Sequence, residues 1–285
     1  MTGAARMLFG NGSFALGEFN CPPDDPRWQV VNVIGGAAHV VFPATTVVIQ
    51  QAGREPVVTT PNHVVYYPRD QRYRRALKDP RGDRSAFVAL SPELLARLLE
   101  EASIPAGADG TIPFDTGPSE ATAYLAIAQA VHALRARSSA LQVEELVYTS
   151  LERVVRAAGS LHESPKRARR YRTESEHRAL VESTKALLGE RFAEHDSLEE
   201  IAGRLHTSPF HLARLFREHT GFPLHRYRTE LRLRAALEQL FDGVPVAAAA
   251  RVVGFRSHSQ FTSAFRASFG VTPSNVTARA TPAPH

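Results

Sequence analysis

The sequence predicts an α+β protein, with an N-terminal half built as an antiparallel β-barrel plus helices and a C-terminal half made wholly of helices. Three observations predict it. Short runs of β-branched and aromatic residues, bounded by Gly, Pro and Asn, recur along the first 115 residues. From residue 116 onward the apolar residues keep helical spacing. Within residues 197–273 the helical pattern states one short unit, helix then tight turn then helix, twice.

The predicted strands are residues 30–34, 39–42, 45–49, 63–67 and 86–90, a regular spacing that suits a small barrel or sandwich. A short helix follows, with Ser91 as cap, Pro92 in its first turn, and Leu94, Leu95, Leu98 and Leu99 turned inward. Two longer helices are expected at 119–137 and 141–158. In the second, Val143, Val147, Leu151, Val154 and Val155 form a near-heptad line that fits packing against the barrel or against a second copy of the chain. A basic stretch at 159–173, containing Pro165 and Lys166-Arg167-Ala168-Arg169-Arg170, reads as a linker. The expected division is a barrel at 1–115, a helical pair at 116–158 suited to dimerisation, the linker, a helical domain at 174–279 and a tail at 280–285.

The repeat can be followed residue by residue. Leu198 and Ala202 match Val246 and Ala250 at an offset of 48, whereas Leu212, Phe216, Arg217 and Gly221 match Phe261, Phe265, Arg266 and Gly270 at 49. One residue is therefore added in the second turn. Ser208 and Ser257 are placed to cap the second helix of each unit, and Pro209 suits a first helical position. A long helix from Pro223 to Phe241 joins the units, with Arg226, Arg228, Arg232 and Arg234 expected on its solvent side.

Charge follows the same division. Residues 165–285 carry 19 Lys+Arg against 12 Asp+Glu, a net of +7, while the remainder carries 15 against 17. The basic excess lies in the half with the repeat, where phosphate neutralisation would use it. Cys21 is the only cysteine, which excludes an internal disulfide and a cysteine-based metal cluster within one chain. No apolar run reaches the roughly 18–20 residues of a membrane span, and the N-terminus has no basic-then-apolar export pattern, so a cytoplasmic protein is expected. The chain also has no glycine-rich phosphate loop and no Ser/His/Asp or Cys/His pattern of a nucleophilic enzyme, and no enzymatic role is expected.

The residues of the repeat carry a resemblance. Residues 208–216, Gly221-Phe222, 232–236, Gly254-Phe255, 261–265 and 269–273 resemble the DNA-binding domain of the AraC/XylS transcription regulators. The resemblance implies that the second helix of each unit enters the major groove, about 34 Å from the other. On that basis Phe210, His211 and Arg214 of the first unit, and His258, Ser259, Gln260, Thr262 and Ser263 of the second, are the expected base contacts. Arg214 is the best of them, because its planar fork matches O6 and N7 of guanine. Ser263 stands where Arg214 stands in the first unit. Ser208, Arg217, Ser257 and Arg266 are assigned to phosphates, which position the protein without selecting sequence.

The N-terminal half is similar to the family's cupin-like sensor domain. A small-molecule effector is implied, with His63, Tyr66, Arg72 and Tyr73 as its expected lining. The clustered histidines and glutamate of metal-binding cupins are missing, and no metal or other cofactor is expected. The implied partners are double-stranded DNA, a homodimeric second copy, and RNA polymerase if the protein is an activator.

Overall fold

The computed structural model describes residues 5–105, 112–136, 139–162 and 171–280. Its N-terminal part holds ten strands: β1 (Ala5–Gly10), β2 (Phe14–Cys21), β3 (Asn32–Val33), β4 (Ala38–Pro43), β5 (Val47–Gln51), β6 (Val57–Thr59), β7 (His63–Tyr67), β8 (Arg72–Leu77), β9 (Asp83–Leu90) and β10 (Thr116–Pro118). They form two antiparallel sheets, one of six strands ordered β1-β2-β9-β4-β7-β10 and one of four ordered β3-β8-β5-β6. The expected closed barrel is therefore a pair of facing sheets. The four-stranded sheet ends on β3 and β6, and neither pairs with a strand of the other sheet. Of the expected strand at 30–34 only Asn32 and Val33 pair, with Tyr73 and Arg72, and Val30, Val31 and Val33 stay exposed.

In the six-stranded sheet β7 is buried on both faces, and residues 64–67 show why that strand reads as an unbroken apolar run. Val64 and Tyr66 point to a core made with the helices, whereas Val65 and Tyr67 point to a second core against Val47, Ile49 and Tyr73 of the other sheet. Three helices cover the first face: α1 (Pro92–Glu101), α2 (Ala121–Arg135) and α3 (Ala140–His162). Ser91 caps α1 by accepting from Leu94 N at 3.2 Å. The near-heptad line of α3, from Val143 to Val155, is fully buried within the chain, so it offers no surface to a second copy.

α2 is apolar on every side, the pattern of a helix enclosed by neighbours. Ala123, Ile127, Ala130 and Val131 join the core under the sheet, while Tyr124 and Leu125 join a core of the C-terminal part. α3 runs on to His162 and the next helix begins at Tyr171, so helix enters the expected linker from both ends; residues 163–170, with most of its basic run, lie outside the described residues.

The C-terminal part comprises α4 (Tyr171–Arg191), α5 (Leu198–Arg204), α6 (Pro209–Thr220), α7 (Leu224–Phe241), α8 (Val246–Val252), α9 (His258–Phe269) and α10 (Pro273–Ala280). Two cores lie along α7. Its N-terminal half supplies Leu224, Tyr227 and Leu231 to a core with α4, α5 and α6. Its C-terminal half supplies Leu233, Ala236, Leu237 and Leu240 to a core with α8, α9 and α10. One continuous helix, roughly 27 Å long at 1.5 Å per residue, thus sets the distance between the two units.

Candidate nucleic-acid interface

The two units agree in backbone detail. The turn after α5 passes through His206 at φ 52°, and the turn after α8 through Gly254 at φ 90°. Thr207 N then bonds Ala202 O at 3.0 Å, and Phe255 N bonds Ala250 O at 2.9 Å. These pairs keep the offset of 48. Ser208 Oγ accepts from His211 N at 3.2 Å and Ser257 Oγ from Gln260 N at 3.1 Å, an offset of 49. The added residue is thereby located: it is Arg256, exposed between Phe255 and the cap. Both second helices end on left-handed glycines, Gly221 at φ 77° and Gly270 at φ 74°.

On α6, Leu212, Leu215 and Phe216 are fully buried, which leaves Phe210, Arg214 and Arg217 exposed. Phe210 is 80% exposed, a large apolar side chain set on a polar helix face. Arg214 Nη1 donates to Glu218 Oε1 at 3.0 Å across one turn, and its Nη2 lies 3.5 Å from His211 Nδ1. That exposed ion pair is a weak restraint that a guanine edge can replace. His211 is half-buried with its ring against His177 of α4, so it stands at the margin of the face.

On α9, Phe261, Phe265 and Phe269 are buried, and His258, Ser259, Gln260, Ser263 and Arg266 are exposed. Thr262 is half-buried, its Oγ1 3.5 Å from His258 Nε2. Ser208 and Ser257 use their oxygens as helix caps, and each keeps only its hydroxyl proton to offer a phosphate.

Of the α7 arginines expected on the solvent side, Arg226 is exposed, whereas Arg228, Arg232 and Arg234 are turned to partners within the chain. Arg228 Nη1 donates to Asp196 O at 2.7 Å, and Arg232 donates to Phe192 O and Glu194 O, each at 2.6 Å. These bonds satisfy the carbonyls of the loop between α4 and α5. Burial, with Arg228 and Arg256 nearby, draws Arg232 down to about 10. The same cations lower His195 after its own desolvation. A basic cluster of Arg228, Arg232, Arg256 and His195 therefore lies between the two units. The sequence signal for Arg256 was the added residue itself.

Arg234 is turned the other way, into the N-terminal half. It is 2% exposed, donates to Asn62 Oδ1 at 2.8 Å, to Glu230 Oε2 at 2.8 Å and to Ser119 O at 2.6 Å, and lies over the Tyr124 ring. Asn62 Nδ2 in turn donates to Tyr227 O, and Thr60 Oγ1 lies 2.7 Å from Tyr227 Oη. Glu230 also accepts from Ser268 Oγ of α9. A continuous polar path thus runs from the β6–β7 turn to the second reading helix.

Of the residues expected to line an effector pocket, Tyr73 faces a cavity of about 240 Å³ between the two sheets that also meets His39, Tyr67 and Asp83. His63 belongs to the seam with α7: its Nδ1 lies 3.1 Å from Thr60 Oγ1 and its ring faces Tyr227. Burial there, with Lys185 and Arg234 adding to it, holds the His63 imidazole well below its usual value. Tyr66 is core, donating to Val154 O of α3 at 2.9 Å. Arg72 is exposed at the end of β8. A larger cleft of about 380 Å³ lies between the six-stranded sheet, α2 and the end of α7, with Phe42, Arg84, His132 and Arg135 on one side and Glu238 and Phe241 on the other. Sequence periodicity could not locate it, because it joins distant segments.

A last cluster was not anticipated. Glu174 and His177 of α4 and His219 of α6 bring one potential ligand atom each within 4.8 Å of the others.

Comparison with known proteins bears on the repeat. The helix-turn-helix domain family matches residues 201–279, the stretch that holds both units. Residues 201–279 thus hold a helix-turn-helix domain of the AraC type. Among solved structures the chain is similar to an AraC-type transcriptional regulator from Chromobacterium violaceum, with 28% identity over 38% of this chain and 99% of that one at a TM-score of 0.35. It is also similar to a DNA-binding transcriptional dual regulator from Escherichia coli K-12, with 26% identity over 35% of this chain and 91% of that one at 0.33. ToxT from Vibrio cholerae aligns over 95% of this chain and 100% of its own at 12% identity and a TM-score of 0.36. Among the described residues no helix is long and apolar enough to cross a membrane.

Proposed function

We propose that the protein is a transcription regulator of the AraC type that selects its DNA site mainly through Arg214 and uses the second unit for affinity and register. The observation that carries this reading is the inequality of two otherwise matched helices: position 214 holds an exposed guanidinium, and position 263, its equivalent at an offset of 49, holds a serine. Arg217 and Arg266, equivalent to each other and both exposed, are suited to phosphates, and the basic cluster around Arg256 extends that surface between the units. The second unit then depends on hydroxyl and imidazole groups and on DNA shape.

Two substitutions test it. Arg214→Ala should lose about 1–3 kcal/mol of discrimination at one position of the preferred site, measured by mobility shift on single-base variants. Arg266→Ala should weaken all sequences alike and flatten the dependence of affinity on salt. Uniform weakening by Arg214→Ala, or an unchanged salt slope for Arg266→Ala, contradicts the assignment.

The regulator further takes a small, partly apolar effector in the cleft between the six-stranded sheet, α2 and the end of α7. Its support is placement: the lining draws on both halves, so an occupant touches α7 directly. A thermal-shift screen checks this; a compound that stabilises the wild type but equally stabilises a cleft-filling Ala128→Phe variant does not bind there.

A further inference from the structure

We infer that Glu174, His177 and His219 form a binding site for a divalent transition ion, zinc in first place, that clamps the start of α4 to the end of the first reading helix. Glu174 and His177 are three residues apart on α4 and so share one helix face. His219 meets them from the last turn of α6. One ligand atom from each lies within 4.8 Å of the other two. Ligand atoms around a tetrahedral zinc with bonds near 2.0–2.1 Å sit about 3.3 Å apart. Closing that difference needs only side-chain rotation, because His219 is exposed and the other two are half-buried.

A second observation points to a ligand. His177 Nδ1 is buried and has no hydrogen-bond partner. A buried imidazole nitrogen without a partner costs desolvation energy, and a bound ion removes that cost. The ring is already oriented by edge contact with His211, 5.5 Å away between centroids. Two imidazoles and one carboxylate suit zinc, cobalt, nickel or copper and disfavour magnesium and calcium, which prefer all-oxygen sets. The fourth position is left to water.

The consequence is local. α4 otherwise holds α6 through the apolar core that Val181 and Leu188 share with Leu212 and Leu215. An ion at Glu174, His177 and His219 adds a crosslink between the start of α4 and the end of α6, and stabilises the first unit by mass action.

The test uses the full-length protein stripped with a chelator and titrated with cobalt(II), then with zinc(II) in competition. One ion per chain, a visible cobalt absorption of low-coordinate type, and a rise in Tm with zinc are expected. His219→Ala and Glu174→Gln should each weaken binding at least about tenfold, since even supporting residues of metal sites carry that much. His225→Ala, an exposed histidine on α7, should leave affinity unchanged. Binding below one ion per chain, or equal affinity in the wild type and His219→Ala, overturns the inference.

Discussion

Arg234→Ala is expected to destabilise the protein by about 3–5 kcal/mol and to uncouple its two halves. The magnitude is that of breaking a buried, hydrogen-bonded charge pair by removing one partner. Three acceptors lose their donor at once: Glu230, Asn62 and the carbonyl of Ser119. Glu230 would be left partly buried with only Ser268 to bond it. Denaturant unfolding followed by two probes, the single Trp28 in the N-terminal half and helical signal overall, gives the readout. The wild type should unfold in one step and the variant in two. A loss below about 1 kcal/mol with a single retained transition would show that the seam does not depend on this residue.

Gly254→Ala should be nearly as damaging, and its effect should fall on the second unit. A Cβ at this position would lie 2.2 Å from the carbonyl oxygen of Ala193, a backbone atom fixed by the turn after α4. The φ of 90° adds backbone strain for any side chain. Strain of about 1–3 kcal/mol and overpacking of about 1–3 kcal/mol together predict a loss of about 3 kcal/mol or more. The equivalent position in the first turn is His206, at φ 52° and exposed, where a side chain has room. Calorimetry compares the two sites: His206→Ala should change stability by less than about 1 kcal/mol. Equal, small effects at both positions would mean that the two turns are held less rigidly than their geometry implies.

The contrast between those turns shows what could be read from the sequence. The repeat was legible because helical period, serine caps and glycine stops are local signals, and the change of offset from 48 to 49 announced an insertion before any coordinates placed it at Arg256. The exposed faces of α6 and α9 followed from the same period, once Leu212, Leu215, Phe216, Phe261 and Phe265 were assigned to the cores. What failed was long-range. Arg234 read as solvent-facing because α7 was taken alone, whereas Asn62 and Ser119 cover it from segments far away in the chain. Tyr66 and His63 read as pocket residues because a strand shows which residues share a face, not what covers that face; α3 covers one and α7 the other. The barrel became two sheets because whether edge strands pair depends on where they lie in space, which composition does not carry. In the same way the cluster of Glu174, His177 and His219 went unread, because His219 reaches the other two only through the packing of α6 on α4.

The regulator as described is one rigid arm bearing two unequal reading helices, coupled to its N-terminal half through Arg234 and Glu230. The central claim is that both α6 and α9 enter DNA together, in successive major grooves, with sequence choice resting on the first. Hydroxyl-radical footprinting of the full-length protein on a site selected from random DNA tests it most directly. Two protected tracts are expected on one face of the duplex, centred about one helical turn, 10–10.5 base pairs, apart, with strict base preference under one tract and relaxed preference under the other. A single protected tract, or equal base preference under both, would contradict it.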